Sequence, residues 1–510
     1  MYKVFIEKGI SVPDKIAAVG FLLALAFCSS DVSQSKPSQS DQELTQKIDA
    51  YLAAGAAKGF SGVVLVARDS KVIFSKGYGW ADRGKKIPNT PETVFDIGSN
   101  TKQFTAAAIL KLVEQEKVTL SDPLGVFFDN LPDDKKEITI HQLLTHTAGL
   151  KESWGRDTDQ VALDKYLEDV FTSELLSSPG EKYAYSNIGY SLLALIIERA
   201  SGSQYEEYLS HNLLEPAGLK ETGYILPVWK ADRIAHGYRS TMIDTGTMVE
   251  RYLADGVSWN LIGNGGIAST SVDLHKWFSA LRESKILSKS SRELLFTPHV
   301  AMNPEGTWHY AYGWTIGHTS KEIKKVSHNG SNGIFFSSLL LYPDEDVEII
   351  YSSNAVYDDV EWLGSEVEKM VFDPNYQPEP IPPSSYGIVL QFMEVRAPGD
   401  VARLPEYFTQ QAKHELQDRA VLNRVGLWQM DQHNLDWAIA LLELNAGLFP
   451  DDGNLWDSLG DAYFRMKQKA SAINSYNQAL ALAPEDGCHW CANSREKLVL
   501  MQGQISTKAE

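Results

Sequence analysis

The pattern of apolar and polar positions predicts two strand pairs that lie far apart in the chain. Short β-branched runs at 61–67 and 72–78 are separated by four polar residues, which is typical of a hairpin. A second pair is predicted at 335–342 and 347–352, joined by a Pro-Asp-Glu-Asp turn. Helical patterns lie between the two pairs. We therefore predict an α+β fold, in which one antiparallel sheet takes strands from both ends of the region.

Helices are predicted by longer apolar patterns. The stretch 96–113 contains a helix that is apolar on nearly every side, which is typical of a helix buried in a core. We predict an amphipathic helix at 41–54, a largely helical segment at 162–202 that is broken at Pro179-Gly180, and a closing helix at 363–372.

The chain divides into an α+β domain and a helical domain. The first is predicted over residues 41–372, and a proline-rich linker at 373–385 separates it from the second, over residues 386–510. The helical domain contains two units of a repeated pattern, at about 422–455 and 456–489. The recurring positions are Leu422, Gly426, Ala438, Leu442 and Pro450, then Trp456, Gly460, Ala472, Tyr476 and Pro484. This pattern matches tetratricopeptide repeats, so we expect a protein partner for this domain.

The first 28 residues have the pattern of an export signal. Three lysines precede an apolar run at 16–27, which is too short to span a bilayer. The run ends at Cys28 and a polar linker follows at 29–40, which resembles a bacterial lipoprotein signal, although Phe27 stands where a small residue is usual. We expect export to the periplasm or outer surface and lipidation of Cys28. The alternative is an uncleaved anchor, which also places the body outside the cytoplasm.

Composition and charge exclude several classes of partner. The 510-residue chain is 43% hydrophobic and 22% charged, which is ordinary for a globular protein. Its formal net charge of −19 argues against binding to nucleic acid and against electrostatic docking on anionic lipid. Membrane contact is therefore expected only through the lipid anchor. The sequence contains no recognisable metal-ligand cluster or phosphate-binding glycine loop, so we predict no metal and no cofactor.

The two remaining cysteines, Cys488 and Cys491, lie one helical turn apart. In an oxidising compartment they could form a disulfide. A redox pair would need a strand–helix context, and a haem site would need a histidine after the second cysteine, whereas His489 lies between them. We therefore favour a structural disulfide.

Candidate chemistry lies at the start of the buried helix, where Ser99 and Lys102 are three residues apart. Residues at this spacing share one helix face. A serine needs an adjacent base to act as a nucleophile, and a lysine can be that base when burial favours its neutral form. The pattern S-x-x-K alone is weak, because it occurs three times in this chain, but only here is its context apolar. The alternative is an ordinary helix serine beside a surface lysine.

Two further motifs could meet this pair. Tyr185 and Asn187 follow a Pro-Gly turn and precede an apolar helix, which would hold them on a fixed loop. A tyrosine beside cations would have its phenolate form favoured and could transfer protons. The H-N-G-S sequence at 328–331 precedes an apolar strand at 334–341, and an edge strand there could present a backbone N–H and the histidine to a cleft. Each motif alone is also consistent with a buried tyrosine, a helix cap or a structural histidine.

Together and in this order, the three motifs resemble the serine β-lactamase and penicillin-binding-protein superfamily. The resemblance covers residues 41–372 and is closest to the branch of class C β-lactamases, D-amino-acid peptidases and esterases. Four other stretches fit that branch: F-S-G-V-V-L-V at 60–66, L-L-T-H-T-A-G-L at 143–150, G-N-G-G-I-A-S-T at 263–270 and Y-G-W at 312–314. H-N-G stands in place of K-T-G, which argues against efficient β-lactam turnover and is similar to the peptidase-like members.

The resemblance implies a serine hydrolase that acts through an acyl-enzyme on a small peptide, a β-lactam or an ester. Ser99 would be the nucleophile, and Lys102 and Tyr185 would share the acid–base work. The remaining implied site residues are Asn187, which would hold Lys102 or the substrate amide, and His328, which would help bind a carboxylate or shape the cleft. Gly330 would belong to the same substrate-binding strand, and the N–H of Ser331 would complete the oxyanion hole with that of Ser99. The resemblance assigns no catalytic role to His146, which we expect to be structural.

Three functions remain open at this point. A D-amino-acid peptidase or carboxypeptidase, or a β-lactamase-like enzyme, is the leading hypothesis, and a carboxylesterase of the same family is the second. The third is a non-catalytic binding protein that uses the helical repeats as a scaffold, although the intact set of Ser99, Lys102 and Tyr185 argues against it. We expect the loops at 152–169 and 231–260 to shape the cleft, and the sequence does not identify the substrate.

Overall fold

The computed structural model describes residues 39–157, 159–356, 362–484 and 487–506. The predicted signal segment with Cys28, and nearly all of the linker at 29–40, lie outside these residues. Across the described ranges, no helix combines the length and the apolar character needed to cross a bilayer.

Strands and helices are interspersed along the first domain, whereas the regular elements of the second domain, over its described residues, are helices. The strands, in chain order, are β1 (Gly62–Arg68), β2 (Lys71–Tyr78), β3 (Trp80–Asp82), β4 (Ile87–Pro88), β5 (Phe95–Asp96), β6 (Tyr238–Arg239), β7 (Ile243–Asp244), β8 (Ala268–Ser269), β9 (Val300–Ala301), β10 (His309–Tyr310), β11 (Thr315–His318), β12 (Lys324–Ser331), β13 (Phe336–Tyr342) and β14 (Val347–Ser353). The helices are α1 (Gln39–Ala56), α2 (Thr101–Glu114), α3 (Ile140–Leu144), α4 (Leu163–Thr172), α5 (Asn187–Ser201), α6 (Tyr205–Leu209), α7 (Glu215–Ala217), α8 (Met248–Asp255), α9 (Ser271–Arg282), α10 (Lys289–Leu295), α11 (Trp362–Phe372), α12 (Ser385–Val395), α13 (Leu404–Ala412), α14 (Arg419–Asp431), α15 (Leu435–Leu448), α16 (Gly453–Arg465), α17 (Lys469–Ala481) and α18 (Cys491–Ser506).

One antiparallel sheet organises the first domain. Its strand order is β2-β1-β14-β13-β12-β11-β10-β9, so the first hairpin of the domain pairs with its last strand. The α+β fold predicted from the sequence is confirmed. Side chains alternate between the two faces of β1: Leu65 packs with the helices around α2, whereas Val64 and Val66 pack against α1 and α11. Both faces of the sheet are therefore buried, and α2 lies in the larger core, as its uniformly apolar sequence predicts.

The H-N-G-S sequence forms the end of a strand inside the sheet, so the predicted edge strand is wrong. This strand, β12, lies between β13 and β11. β11 has only four residues, and its ladder with β12 ends at Ser327, so residues 328–331 extend beyond it. The short neighbour leaves one side of these last residues free to face a cleft, although the strand as a whole is interior.

The segment 162–202 is less helical than predicted. Residues 173–186 connect α4 to α5 without a helix, because their backbone groups bond to the segment that follows α3. Leu176 N–H donates to the Gly149 carbonyl and Gly180 N–H to the Thr147 carbonyl, both at 2.7 Å. This connection carries Tyr185 towards Ser99.

The helical domain contains two consecutive pairs of antiparallel helices, α14 with α15 and α16 with α17. Gly426 and Gly460 allow the helices of each pair to approach, because an added Cβ would meet Leu442 or Tyr476 at under 3 Å. A disulfide joins Cys488 to Cys491, with Cα atoms 5.3 Å apart, at the start of α18. The helical domain contacts the β6–β7 hairpin of the first domain. Met242, between these two strands, is buried in the apolar core of the helical domain.

Candidate active site

Ser99 lies in a tight turn that leads into α2. The turn spans Gly98–Asn100, and Gly98 has a φ of +51°. The Asp96 carboxylate accepts a hydrogen bond from Gly98 N–H at 2.7 Å, and its other oxygen accepts one from the Asn332 side chain at 2.7 Å. Asp96 therefore ties the serine turn to the residues that follow β12. Burial raises the pKa of this carboxyl group to about 6, which leaves it mainly ionised at neutral pH.

Two glycines bring the serine turn against the end of β12. A Cβ added to Gly330 would lie 2.6 Å from Ser99 N, and one added to Gly98 would lie 2.8 Å from Ser331 N. Neither position has room for a side chain. The close approach places Ser99 N beside Gly330 and Ser331 N beside Gly98, so the two backbone nitrogens are neighbours, as the donors of an oxyanion hole must be.

Lys102 is fully buried beside Ser99, and its Nζ contacts three oxygen atoms. Its Nζ lies 3.1 Å from Ser99 Oγ, 2.7 Å from Asn187 Oδ1 and 2.7 Å from the carbonyl oxygen of Asn264. Burial holds the pKa of Lys102 well below its usual range, and this outweighs the opposite effect of the nearby Asp157 and Glu152 carboxylates. A neutral amine donates two hydrogen bonds, to the two asparagine oxygens, and its lone pair is left for the Ser99 hydroxyl.

Both asparagine oxygens are held by further contacts. Asn187 begins α5, and its Nδ2 donates to Ser153 Oγ at 3.0 Å, so that Oδ1 faces Lys102. The Asn264 side chain donates to the Asn260 carbonyl at 2.8 Å and to Ser191 Oγ at 2.9 Å. Asn264 was missed as a site residue by the sequence reasoning. The glycine-rich stretch at 263–270 was the available signal, but a backbone carbonyl leaves no side-chain signature.

Tyr185 lies next to Lys102, with its ring centroid 4.8 Å from Lys102 Nζ. The expectation that cationic neighbours favour its phenolate is wrong. Burial raises the pKa of Tyr185 above its usual value and outweighs the opposite effect of a hydrogen bond to Ser99. The neighbouring lysine is itself neutral, so no cation offsets the burial. Tyr185 is therefore a neutral phenol that can donate a proton.

His328 is a neutral imidazole in the wall of the cleft. Burial lowers its pKa to about 3. Its Nδ1 lies 2.6 Å from the Asn329 carbonyl oxygen, which assigns the ring proton to Nδ1, and its Nε2 accepts from the Tyr310 hydroxyl at 3.2 Å. His328 therefore presents no positive charge to a ligand at neutral pH.

The cleft beside Ser99 has a volume of about 620 Å³. The cleft extends from Ser99 along β12 towards α11. No described residue of the loops predicted to shape it, 152–169 and 231–260, lines this cavity. Residues of both loops line a neighbouring cavity instead, which reaches Asp96 and Asn332 behind the serine turn. The lining of the cleft beside Ser99 comes from the sheet, from α11 and from the segments around β9 and β10, as well as from the Tyr185 loop: Ser99, Tyr183, Tyr185, Met302, Trp308, Tyr310, Thr315, Lys325, Ser327, His328, Asn329, Ser331, Phe336, Ser338, Leu340, Tyr351, Gly364 and Ser365.

The structure thus brings the three predicted motifs into one cleft, with Ser99, Lys102 and Asn187 in direct contact. Gly330 and Ser331 adjoin the serine turn and His328 lines the wall. Cys488 and Cys491 lie apart from this site, in the helical domain. Within the described parts of the chain, no group of three or more histidine, cysteine or acidic side chains is arranged to hold a metal ion.

The fold and the site define a serine hydrolase of the β-lactamase type. Residues 44–364 match the Beta-lactamase family and residues 453–486 match a tetratricopeptide repeat. The chain therefore belongs to the Beta-lactamase family, whose members act on amides and esters, and it carries a C-terminal tetratricopeptide repeat. Membership of a hydrolase family argues against the non-catalytic alternative.

Particular relatives share this domain. The chain is 31% identical over 320 residues to Penicillin-binding protein 4* of Bacillus subtilis (strain 168), an alignment that covers 59% of this chain and 69% of that protein. Across the first curated relatives that it matches, the chain spans 62% to 69% of their length. The structure of the octameric penicillin-binding protein homologue from Pyrococcus abyssi is 25% identical, with a TM-score of 0.57 over 68% of this chain and 81% of that one.

A third similarity extends only to the fold. The D-amino acid amidase from Ochrobactrum anthropi SV3, solved in complex with D-phenylalanine, is 22% identical, with a TM-score of 0.55 over 65% of this chain and 98% of that one.

Proposed function

We propose that the protein is an exported hydrolase that cleaves an amide or ester bond in substrates containing D-amino acids, through an acyl-enzyme formed on Ser99. The observation that carries this proposal is the fully buried amine of Lys102, which lies 3.1 Å from Ser99 Oγ and contacts two further oxygen atoms. Burial lowers the pKa of this amine and so favours the unprotonated base. A serine beside an unprotonated base is an activated nucleophile.

The proposed reaction begins with proton transfer from Ser99 to Lys102. As Ser99 Oγ bonds to the substrate carbonyl carbon, its proton moves to the lone pair of Lys102 Nζ. Tyr185, a neutral phenol, gives its proton to the leaving amine or alcohol and recovers one from Lys102. The acyl-enzyme then reacts with water by the same groups in reverse, which releases the acid and restores Ser99.

Negative charge on the carbonyl oxygen is stabilised at the other side of the cleft. The N–H groups of Ser99 and Ser331 are the proposed donors. Each such donor stabilises the transition state by roughly 3 kcal/mol in related chemistry. The contact between Gly98 and Gly330 sets the spacing of the two donors.

The charge of the cleft favours an uncharged leaving group over a free C-terminal carboxylate. Lys325 is the one lining residue among those described that carries a formal charge at neutral pH, and it is paired with Glu368 at 2.6 Å. His328, which stands where many relatives have a lysine, is neutral. A substrate carboxylate would therefore lose its hydration without gaining a cation. An internal amide, an amino-acid amide or an ester would avoid that penalty.

The test uses a matched pair of substrates. A peptide ending in D-Ala-D-Ala is offered as the free acid and as the C-terminal amide, and products are measured by mass spectrometry together with the intact protein. We expect an acyl adduct on Ser99, faster turnover of the amide than of the acid, and neither adduct nor turnover in Ser99→Ala. An active enzyme without an adduct at Ser99 would contradict the proposed function. Equal rates for acid and amide would contradict only the charge argument.

A carboxylesterase is the second candidate. The aromatic and apolar lining from Tyr183, Trp308 and Phe336 favours it, because this lining suits a neutral ester as well as a peptide. Hydrolysis of short p-nitrophenyl esters without any cleavage of D-peptides would support this candidate over the first.

We also propose that the mature protein begins at a lipidated Cys28 outside the cytoplasm and that its repeats bind a protein partner. The support is the lysine-rich apolar segment that precedes Cys28 and the repeat at 453–486, a type that commonly mediates protein interactions. Mass spectrometry of the mature N-terminus tests the first part: a chain that keeps Met1 would contradict it.

A further inference from the structure

A buried histidine outside the three motifs contacts the segment that carries Tyr185. His146 lies just after α3, is only 1% exposed and has a φ of +58°. This conformation is uncommon outside glycine, and asparagine, aspartate and histidine adopt it more often than other residues. Such a backbone is retained only when surrounding contacts favour it.

Those contacts fix the residues on both sides of Tyr185. The His146 carbonyl accepts from Ala184 N–H at 2.8 Å, and His146 Nδ1 accepts from Ser186 N–H at 3.0 Å. The imidazole packs on the Tyr185 ring itself, with centroids 4.3 Å apart and planes inclined by 37°. One residue therefore holds the tyrosine backbone before and after the side chain, as well as the ring between them.

The hydrogen bond from Ser186 N–H to His146 Nδ1 differs from other bonds that join the segment after α3 to the segment that carries Tyr185. Other bonds come from the N–H groups of Leu176, Gly180, Ala184 and Asn187 and from the Ser186 hydroxyl. They end on carbonyl oxygens of residues 146–152, so they need no particular side chain on that segment. Because Nδ1 accepts, the proton of the neutral ring is on Nε2, and that atom is buried without a hydrogen-bond partner among the described residues. An unpaired buried N–H is destabilising, so stability alone does not explain a histidine at this position.

We propose that His146 is a positioning residue for Tyr185, and that its Nδ1 holds the 184–186 segment so that the phenol stays beside Ser99 and Lys102. The inference rests on the proposed function, since it concerns the group to which we assign proton transfer. His146 itself does not touch Ser99, and its effect is exerted through Tyr185.

The experiment compares two substitutions of nearly equal shape. His146→Asn keeps an acceptor at the position of Nδ1 and suits the positive φ, whereas His146→Leu removes the acceptor. With a p-nitrophenyl ester, we expect the leucine variant to lose about 10- to 100-fold in kcat with little change in KM, as for a misplaced catalytic group. The asparagine variant should keep most of the wild-type kcat.

A second comparison separates positioning from a merely structural role. The same substitutions are made in a Tyr185→Phe background, and the rate of Ser99 labelling by a fluorophosphonate is measured alongside the unfolding temperature. If His146 acts through the Tyr185 hydroxyl, His146→Leu should cause little further loss there. An equal loss in both backgrounds, or equal kcat for the asparagine and leucine variants, would overturn the proposal. If the leucine variant does not fold, a loss of more than about tenfold in a folded asparagine variant would overturn it too. Absence of labelling in the unmodified enzyme would instead contradict the proposed function.

Discussion

Replacing Gly330 by alanine tests the oxyanion hole directly. The added Cβ would overlap the Ile97 carbonyl oxygen and lie 2.6 Å from Ser99 N, whereas ordinary contacts of a Cβ begin near 3.4 Å. The shortfall is 3.4 − 2.6 = 0.8 Å at Ser99 N and 3.4 − 2.0 = 1.4 Å at the Ile97 oxygen. Both neighbours are backbone atoms, which no rotamer change can move, so β12 and the serine turn must separate by about 1 Å.

A separation of that size would misplace at least one donor. Removing one donor from an oxyanion hole costs about 3 kcal/mol, or a factor of 10² to 10³ in kcat. We therefore expect Gly330→Ala to lower kcat for a p-nitrophenyl ester at least about 100-fold, with a smaller change in KM, because the ground-state carbonyl makes weaker use of these donors. Gly98→Ala, which closes the same gap from the other side, should have a similar effect.

The matched control is a glycine with space around it. A Cβ added to Gly189 in α5 would meet no atom closer than 3.6 Å, so Gly189→Ala should keep full activity and gain up to about 1 kcal/mol of stability from helix propensity. Unfolding temperature is measured for each variant. If Gly330→Ala folds and keeps more than about a third of the wild-type kcat, the donors are not where we place them, since a lost donor costs at least about 100-fold.

Two further predictions concern Lys102 and the helical domain. The reaction needs the neutral amine, so activity is lost as pH falls through the pKa of Lys102. Because burial lowers that pKa, kcat/KM at pH 8 should already equal its value at pH 10, whereas a steady rise up to pH 10 would contradict a neutral lysine. Lys102→Arg, which stays protonated, should be inactive at every pH, as checked by ester hydrolysis. A chain ending at Asp373 should still hydrolyse the ester. It should unfold at a lower temperature than a chain ending at Ser384, because only the longer chain keeps Ile381 buried against Gly55. That burial contributes about 2 kcal/mol to the free energy of unfolding. Loss of turnover in a folded short chain would mean that the helical domain helps to build the cleft.

Local patterns were sufficient for the two hairpins, for the buried helix and for the candidate nucleophile. The two hairpins and the buried helix α2 follow from apolar periodicity, which depends only on neighbouring residues. The spacing of Ser99 and Lys102 is equally local, because one helical turn places them together whatever the rest of the chain does.

Contributions from distant backbone could not be predicted in the same way. The Asn264 carbonyl, the interior position of β12 and the lining of the cleft all depend on which segments meet in the folded chain. The role of His146 is of this kind too, since it consists of bonds to residues about forty positions away. The stretches 263–270 and 143–150 mark the segments that contain Asn264 and His146, but they do not say which distant residues those segments meet.

The charge states of the site show why the identity of a neighbouring residue does not by itself predict a pKa shift. The sequence suggested that a lysine would favour the Tyr185 phenolate, but that reasoning requires the lysine to be charged. Burial acts on Lys102, Tyr185 and His328 alike and favours the neutral form of each. The resting site therefore holds no ion among these groups. In the proposed mechanism, charge appears only when the Ser99 proton reaches Lys102 and the carbonyl oxygen becomes negative. The proposed backbone donors beside Gly330 then interact with the oxyanion. Because the site is buried, this interaction is stronger than it would be in water. The burial that keeps the resting groups neutral therefore also strengthens the stabilisation of the transition state.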